Sequence, residues 1–305
     1  MLAARSGDVV IDRVELRGDA RAGLWKSLAP GDDVPRLRVV DLAREGVVLA
    51  YEDTGSGCPP LVFVHGAACN RRFWDRQLPR FSSAHRVIAV DLRGHGESDA
   101  PLQRYTVRLF ADDLAWTCTE LGIESPVVIG HSLGGLVALD FASAYRDRIA
   151  AAVLIDSPLL PGSDRAKVVG DLVAGLRGPH PDAALRGYFA RLLFGPYDDA
   201  TTRSWILDQV VLTEPHVMSS LWEESLVSWD DEAALRECRV PFLYIDAGTP
   251  NADLARAVEL CPGLMIARTI GSGHFSPVVV PEQVNAVLAC FLSLCLADDI
   301  DDQRT

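Results

Sequence analysis

This sequence has no Cys-x-x-Cys pair, the arrangement that most often marks a metal site or a redox motif. Its seven cysteines are scattered at positions 58, 69, 118, 238, 261, 290 and 295, and none sits in a Cys/His cluster with zinc-ligand spacing. The odd number and the scatter argue against a disulfide framework. Reduced, mostly buried thiols in a cytoplasmic protein are the expectation, with no metal and no cofactor. The opening Met-Leu-Ala-Ala-Arg-Ser-Gly-Asp lacks the apolar stretch of a secretion leader, and no later run approaches the length of a membrane span. Basic residues are in deficit, 29 against 42 acidic ones, for a formal net charge of −13. Such a surface repels nucleic-acid phosphates and anionic headgroups, so neither nucleic acid nor membrane is an expected partner. Internal repeats and low-complexity tracts are missing as well.

What remains is ample for a globular enzyme-sized core: 305 residues, 49% of them hydrophobic. Residues 1–36 carry short apolar runs broken by charges and a Pro30-Gly31 turn, and read either as a packed arm or as a loose extension. From Leu37 the pattern becomes regular. Leu37–Leu42 and Val47–Tyr51 flank a Glu45-Gly46 turn, which predicts a β-hairpin. Leu61–Val64, Val87–Val90, Val127–Ile129, Ile149–Ile155, Pro241–Ile245 and Leu264–Ile270 are apolar runs of the kind that form buried parallel strands, with helical patterns between most of them. Alternation of this type predicts a mostly parallel sheet covered by helices on both faces. Between Pro158 and Arg239 the alternation stops, and Leu, Phe and Trp recur at helical spacing. The expected organisation is therefore a core of residues 37–157 and 240–296, a helical cap over 158–239, a helix over Asn251–Leu260, a last helix ending at Leu296, and a frayed acidic tail over 297–305.

Ligands bind such sheets at the carboxyl ends of the strands. The chemically suggestive residues fall there: His65-Gly66, the Asp91 loop, Ser132 and Asp156. Ser132 stands in Gly130-His131-Ser132-Leu133-Gly134, directly between a predicted strand and a predicted helix. Strand, Gly-x-Ser-x-Gly and helix in that order make a nucleophile elbow, in which a tight turn lifts the serine hydroxyl above the sheet.

Val64-His65-Gly66, Asp91-Leu92-Arg93-Gly94-His95-Gly96-Glu97-Ser98, the elbow and Gly271-Ser272-Gly273-His274-Phe275 together resemble the α/β-hydrolase superfamily, in its capped, esterase- or lactonase-like branch, over residues 37–296. The resemblance implies an eight-stranded, mostly parallel sheet with the cap inserted after the sixth strand, and a triad in chain order Ser, Asp, His. Ser132 would be the nucleophile, His274 its base, and the backbone N–H groups of Ala67 and Leu133 the oxyanion donors. The usual place for the acid in this family falls at Thr249 or Pro250, and neither can hold an imidazolium. Asp156, at the end of the sixth strand, is the first candidate; Asp246 is the alternative, and Asp253 a third. Trp222 and His216 are candidates for the cap side of a substrate pocket. Trp74, Trp205 and Trp229 read more simply as core, and His65, His95, His131, Asp91 and Arg93 as residues that shape their own loops.

The reaction implied is hydrolysis of a carboxylic ester or lactone of a small, fairly apolar substrate through an acyl-enzyme. Two alternatives stay open at this point, a carbon–carbon bond hydrolase using the same triad and a non-catalytic small-ligand receptor on this scaffold. A homodimer is also left open.

Overall fold

The computed structural model describes residues 39–160, 162, 165–225, 228–248 and 251–302. The extension over residues 1–36 lies outside them, as do Thr249 and Pro250. The hairpin is β1 (Val39–Arg44) and β2 (Val47–Thr54), closed by Glu45 and Gly46 with φ of 54° and 79°. Two successive residues at positive φ make the type of turn whose twist matches that of the strands. β3 (Leu61–Val64), β4 (Val87–Val90), β5 (Val127–His131), β6 (Ala151–Ile155), β7 (Phe242–Asp246) and β8 (Leu264–Arg268) complete one eight-stranded sheet in the order β1-β2-β4-β3-β5-β6-β7-β8. β2 runs antiparallel to both of its neighbours, and every pairing from β4 to β8 is parallel. Strands β3 to β7 are buried at every residue, because helices cover both faces, whereas the edge strand β8 alternates.

The helices with core contacts are the short α1 (Leu78–Phe81), α2 (Val107–Glu120, capped by the Thr106 hydroxyl) and α3 (Leu133–Ala144), which packs on β3, β5 and β6. After β6 come five consecutive helices: α4 (Arg165–Leu176), α5 (Pro181–Leu192), α6 (Ala200–Val210), α7 (Pro215–Ser225) and α8 (Asp231–Glu237). α4 packs on α5 and α7, whereas α8 packs on α3, so the last helix of the insertion lies against the core and not with its sister helices. α9 (Leu254–Leu260), α10 (Ser276–Val279) and α11 (Pro281–Asp302) finish the chain.

Two expectations need correction. α9 starts at Leu254, because Asp253 accepts the Arg256 N–H at 2.9 Å and so acts as its cap; Asn251 is left in the preceding loop. α11 continues past Leu296 to Asp302, since no glycine or proline follows Pro281 to stop it.

Sterics set the β5–α3 turn. Ser132 has φ 53° and ψ −117°, and its N–H reaches across to the Ile155 carbonyl at 2.9 Å. A Cβ on Gly130 would stand 2.0 Å from the Gly134 carbonyl oxygen, and one on Gly134 would stand 2.1 Å from that of Val64. Gly130 thus makes room for the first turn of α3, and Gly134 for the end of β3.

Three buried histidines shape the loops at the strand ends. His65 accepts the Leu92 N–H on Nε2 at 3.0 Å, so its Nδ1–H donates to the Gly66 carbonyl at 2.8 Å. His95 Nδ1 lies 3.1 Å from the Arg93 carbonyl, and His131 Nε2 lies 2.9 Å from that of His274. Burial holds all three neutral, pushing His65 down to about 4 and His95 and His131 to about 3. In the same region Asp91 accepts the N–H groups of Arg71 and Glu97 at 2.7 and 2.9 Å, and Arg93 makes a two-point pair with Asp113 of α2 at 2.8 and 2.7 Å.

Two predictions follow from these contacts. Gly134→Ala forces backbone against backbone with no flexible side chain to yield, and should lower unfolding stability by about 3 kcal/mol or more in a urea titration; an unchanged midpoint would contradict the packing described. A histidine whose pKa is lower folded than unfolded takes up its proton preferentially in the unfolded chain. Stability contributed by His65, His95 and His131 is therefore intact above the ordinary value of 6.5 and declines as pH falls toward 4, by about 1.4 kcal/mol per pH unit for each, or roughly 4 for the three. Urea midpoints at pH 7, 6 and 5 measure this slope, and His95→Gln should reduce it.

Candidate active site

The carboxyl ends of β3, β5, β6 and β7 and the loop after β8 deliver the site. β5 ends on the elbow, and α3 begins one residue later, so the first N–H groups of α3 have no intrahelical partner and face the side where Ser132 stands. β3 ends on His65-Gly66-Ala67, where the chain turns tightly through Ala68 at φ 59° and the Cys69 N–H reaches the Gly66 carbonyl at 3.1 Å. Gly66 packs directly on the elbow: a Cβ there would be 3.1 Å from Ser132 Cβ.

Asp156 follows β6 at φ 43°, an uncommon conformation for a residue with a side chain, and it is fully buried. Its N–H extends the sheet to the Ile245 carbonyl at 2.8 Å, which turns the carboxylate toward the loop after β8. There His274 Nδ1–H donates to Asp156 Oδ2 at 2.6 Å. Asn251 Nδ2 donates to the same oxygen at 2.8 Å, and the Ala247 N–H approaches Oδ1 at 3.4 Å. Two donors thus converge on one oxygen, with Asn251 Nδ2 and His274 Nδ1 3.2 Å apart.

Of the three carboxylates weighed from sequence, the structure brings Asp156 to His274 and leaves the others elsewhere. Asp246 turns to the sheet edge, where Arg268 Nε donates to its Oδ2 at 2.7 Å and the Gly248 N–H to its Oδ1 at 2.7 Å. Asp253 is spent on capping α9.

The backbone of His274 is pinned from two directions. Its carbonyl accepts from His131 of the elbow, and its N–H donates to the Leu193 carbonyl after α5 at 2.9 Å. Beside it, buried Asp198 accepts the Gly195 N–H on Oδ2 at 2.8 Å and the Gly273 N–H on Oδ1 at 2.9 Å. The two glycines touch backbone to backbone; a Cβ on Gly273 would be 2.3 Å from the Gly195 nitrogen. The segment 193–198 of the insertion is therefore fastened to the loop that carries the histidine.

Ser132, His274, Ala67 and Leu133 line one cavity of about 60 Å³. Its other walls come mainly from Tyr188 and Phe189 of α5, Leu221 and Trp222 of α7, and Phe275. Asn251 is a polar wall, and no Lys, Arg, Asp or Glu is among the described residues that line it. Trp222, a candidate from sequence, lines this cavity. His216 does not line this cavity; it lies on α7 beside Tyr105, ring centroids 6.2 Å apart. Trp74 packs on Phe63, Trp205 on Phe73, and Trp229 donates to Asp140 of α3 at 3.0 Å. Sequence reasoning missed Asn251, read as the start of a helix, and Asp198, which only its position between Gly195 and an aspartate cap could have suggested. Among the described residues no group of three or more His, Cys, Asp or Glu could hold a metal, and no helix is long and apolar enough to cross a membrane.

Known proteins place this geometry in context. A family model described as "alpha/beta hydrolase fold" matches residues 59–189. The chain is 33% identical over 125 residues to bifunctional epoxide hydrolase 2 of Sus scrofa, a stretch covering 40% of this chain and 22% of that one. The match spans 22% of the length of that relative and 38% of that of an uncharacterized protein of Mycobacterium bovis. A candidate aryl esterase from Burkholderia cenocepacia is similar over its whole length: 31% identity, 85% of this chain and 100% of that one, at a TM-score of 0.73. A thermophilic esterase from Thermogutta terrifontis is 25% identical at a TM-score of 0.74, over 85% of this chain and 99% of the other. Likeness along the full length of a solved relative, on a sheet with this order and this elbow, means that the chain belongs to the α/β-hydrolase superfamily.

Proposed function

We propose that the protein is a cofactor-independent serine hydrolase that cleaves a carboxylic ester or lactone of a small, uncharged, fairly apolar substrate. The observation that carries this reading is the 2.6 Å bond from His274 to a fully buried Asp156, with Ser132 on the wall of the same cavity. A serine hydroxyl is a weak nucleophile until a base takes its proton. With Nδ1–H committed to Asp156, His274 presents Nε2 as the free base. Asp156 fixes that tautomer and stabilises the imidazolium once it forms.

In the reaction, Ser132 Oγ attacks the carbonyl carbon as His274 takes its proton. The N–H groups of Ala67 and Leu133 receive the oxyanion. His274 returns the proton to the leaving alcohol, and an acyl ester remains on Ser132. Water then gives its proton to His274, attacks the acyl carbon and releases the acid. An aromatic and aliphatic cavity without charged walls favours a neutral substrate, and its small volume favours a short acyl group. The likeness to a candidate aryl esterase agrees with that choice.

Intact-mass labelling with a fluorophosphonate, together with hydrolysis of 4-nitrophenyl acetate, tests the reading. One adduct is expected on the wild type and none on Ser132→Ala. Asp156→Asn should react on the order of 10³–10⁴ times more slowly, the usual loss when the orienting carboxylate becomes an amide. Asp246→Asn should match the wild type. Equal labelling of Asp156→Asn and wild type would remove Asp156 from the triad, and an unlabelled wild type that unfolds cooperatively would remove the hydrolase. Among 4-nitrophenyl esters, kcat/KM should fall from acetate to decanoate.

A further inference from the structure

Asn251 reaches the buried carboxylate from the cavity side. It is half-buried and lines the cavity that holds Ser132, whereas Asp156 behind it is fully buried. Its Nδ2 donates to Asp156 Oδ2 at 2.8 Å, and His274 Nδ1–H donates to the same oxygen at 2.6 Å. The two nitrogens lie 3.2 Å apart, but both are donors, so their hydrogens converge on the oxygen and not on each other. Turning the amide over would set its carbonyl oxygen against a carboxylate oxygen, which fixes the assignment of its nitrogen. The loop itself is anchored without this side chain, because the Asp253 N–H donates to the Leu159 carbonyl at 3.1 Å.

A donor so placed acts on the base in two ways. An amide N–H does not titrate, so it holds Oδ2 in place both when His274 is neutral and when it carries a proton. It also offsets part of the negative charge on the oxygen that faces Nδ1, so the imidazolium is stabilised less than by a carboxylate without that donor. A base that must first take a proton from Ser132 and then release it to a leaving alcohol works best when neither state is held too firmly. Among the described residues, the other titratable groups that face His274 are His131 of the elbow and Asp198. His131 is held neutral by burial, its ring centroid 4.6 Å away, and Asp198 of the inserted segment acts on the loop through the Gly273 N–H.

We propose that Asn251 is a positioning residue of the triad, whose amide N–H holds Asp156 against His274 and weakens the hold of the carboxylate on the proton that His274 carries. This role rests on the reading of Ser132, Asp156 and His274 as a hydrolytic triad.

Two variants of the full chain separate hydrogen bonding from packing. Asn251→Leu keeps the branched shape and removes the donor; Asn251→Ala removes both and lets water in. With 4-nitrophenyl acetate, Asn251→Leu should lose about 10–100-fold in kcat with KM little changed, the range that one hydrogen bond to a charged group represents. Asn251→Ala should lose no more than Asn251→Leu. In both, the acid limb of kcat/KM against pH should move up by roughly one pH unit, because a carboxylate without its second donor favours the imidazolium. A packing role gives the reverse order, with Asn251→Leu active and Asn251→Ala impaired, and leaves the limb in place; that result would overturn the proposal. A second readout needs no turnover. The proton between His274 Nδ1 and Asp156 Oδ2 should give a far-downfield proton resonance in the wild type, displaced in Asn251→Leu and absent from Asp156→Asn. If fluorophosphonate leaves the wild type unlabelled, the hydrolase reading fails, and this resonance alone decides on Asn251. A resonance at the wild-type position in Asn251→Leu, or none in the wild type, would remove the role assigned to Asn251.

Discussion

Gly134 occupies a position where only a hydrogen atom fits above the Val64 carbonyl, and the placing of Ser132 depends on it. α3 can start immediately after β5 only if its first turn lies against the end of β3. That contact forces the intervening residue to positive φ, and the residue so placed is the serine. The same economy recurs at neighbouring strand ends. Ala68 after β3 and Asp156 after β6 also have positive φ without being glycine, a conformation that stores on the order of 1–3 kcal/mol each. Three strained residues at the ends of three adjacent parallel strands are tolerable because β3, β5 and β6 are buried at every position and locked in register. The stability of the sheet is what makes the geometry of the site affordable.

Burying Asp156 completely would be prohibitive for an isolated carboxylate. Here it is surrounded by His274, the Asn251 amide and, at longer range, the Ala247 N–H, so the anion is solvated by fixed groups in place of water. The nearby His131 contributes no charge, since burial keeps it neutral; it contributes one hydrogen bond, to the His274 carbonyl. The electrostatic field at His274 is therefore set mainly by one carboxylate, and neutral groups fix the orientation of both partners.

Much of this was legible in the sequence, for identifiable reasons. Fully buried parallel strands are short apolar runs, so β3 to β7 announced themselves within a residue or two. The elbow combines a strand, two sterically required glycines and a helix in a fixed order, which leaves few alternatives for Ser132. Three other features were not legible. Which of Asp156, Asp246 and Asp253 lies beside His274 depends on which way a carboxylate leaves its strand; the φ of 43° at Asp156 and the Arg268 partner of Asp246 set those directions, and neither is local in sequence. Asn251 falls within a helical pattern in the sequence, and only the capping role of Asp253, two residues later, separates it from the helix. Acidic composition after Leu296 suggests a frayed tail, but without a glycine or proline to act as a stop signal α11 runs on to Asp302.

The insertion after β6 does more than roof the cavity. Asp198 ties Gly195 to Gly273, and the Leu193 carbonyl takes the His274 N–H, so the backbone of the proposed base is held half by the elbow and half by the inserted segment. α5, which ends one residue before Leu193, also supplies Tyr188 and Phe189 to the cavity wall. A side chain change that shifts α5 to admit a bulkier substrate would therefore pull on the loop that aims His274. Substrate range and the alignment of the base are mechanically joined through residues 193–198, and the close contact of Gly195 with Gly273 leaves little slack between them. On this scaffold the more tolerant wall is α7, whose Leu221 and Trp222 line the same cavity without any described hydrogen bond to the histidine loop. Variation in specificity that preserves turnover is physically easiest there.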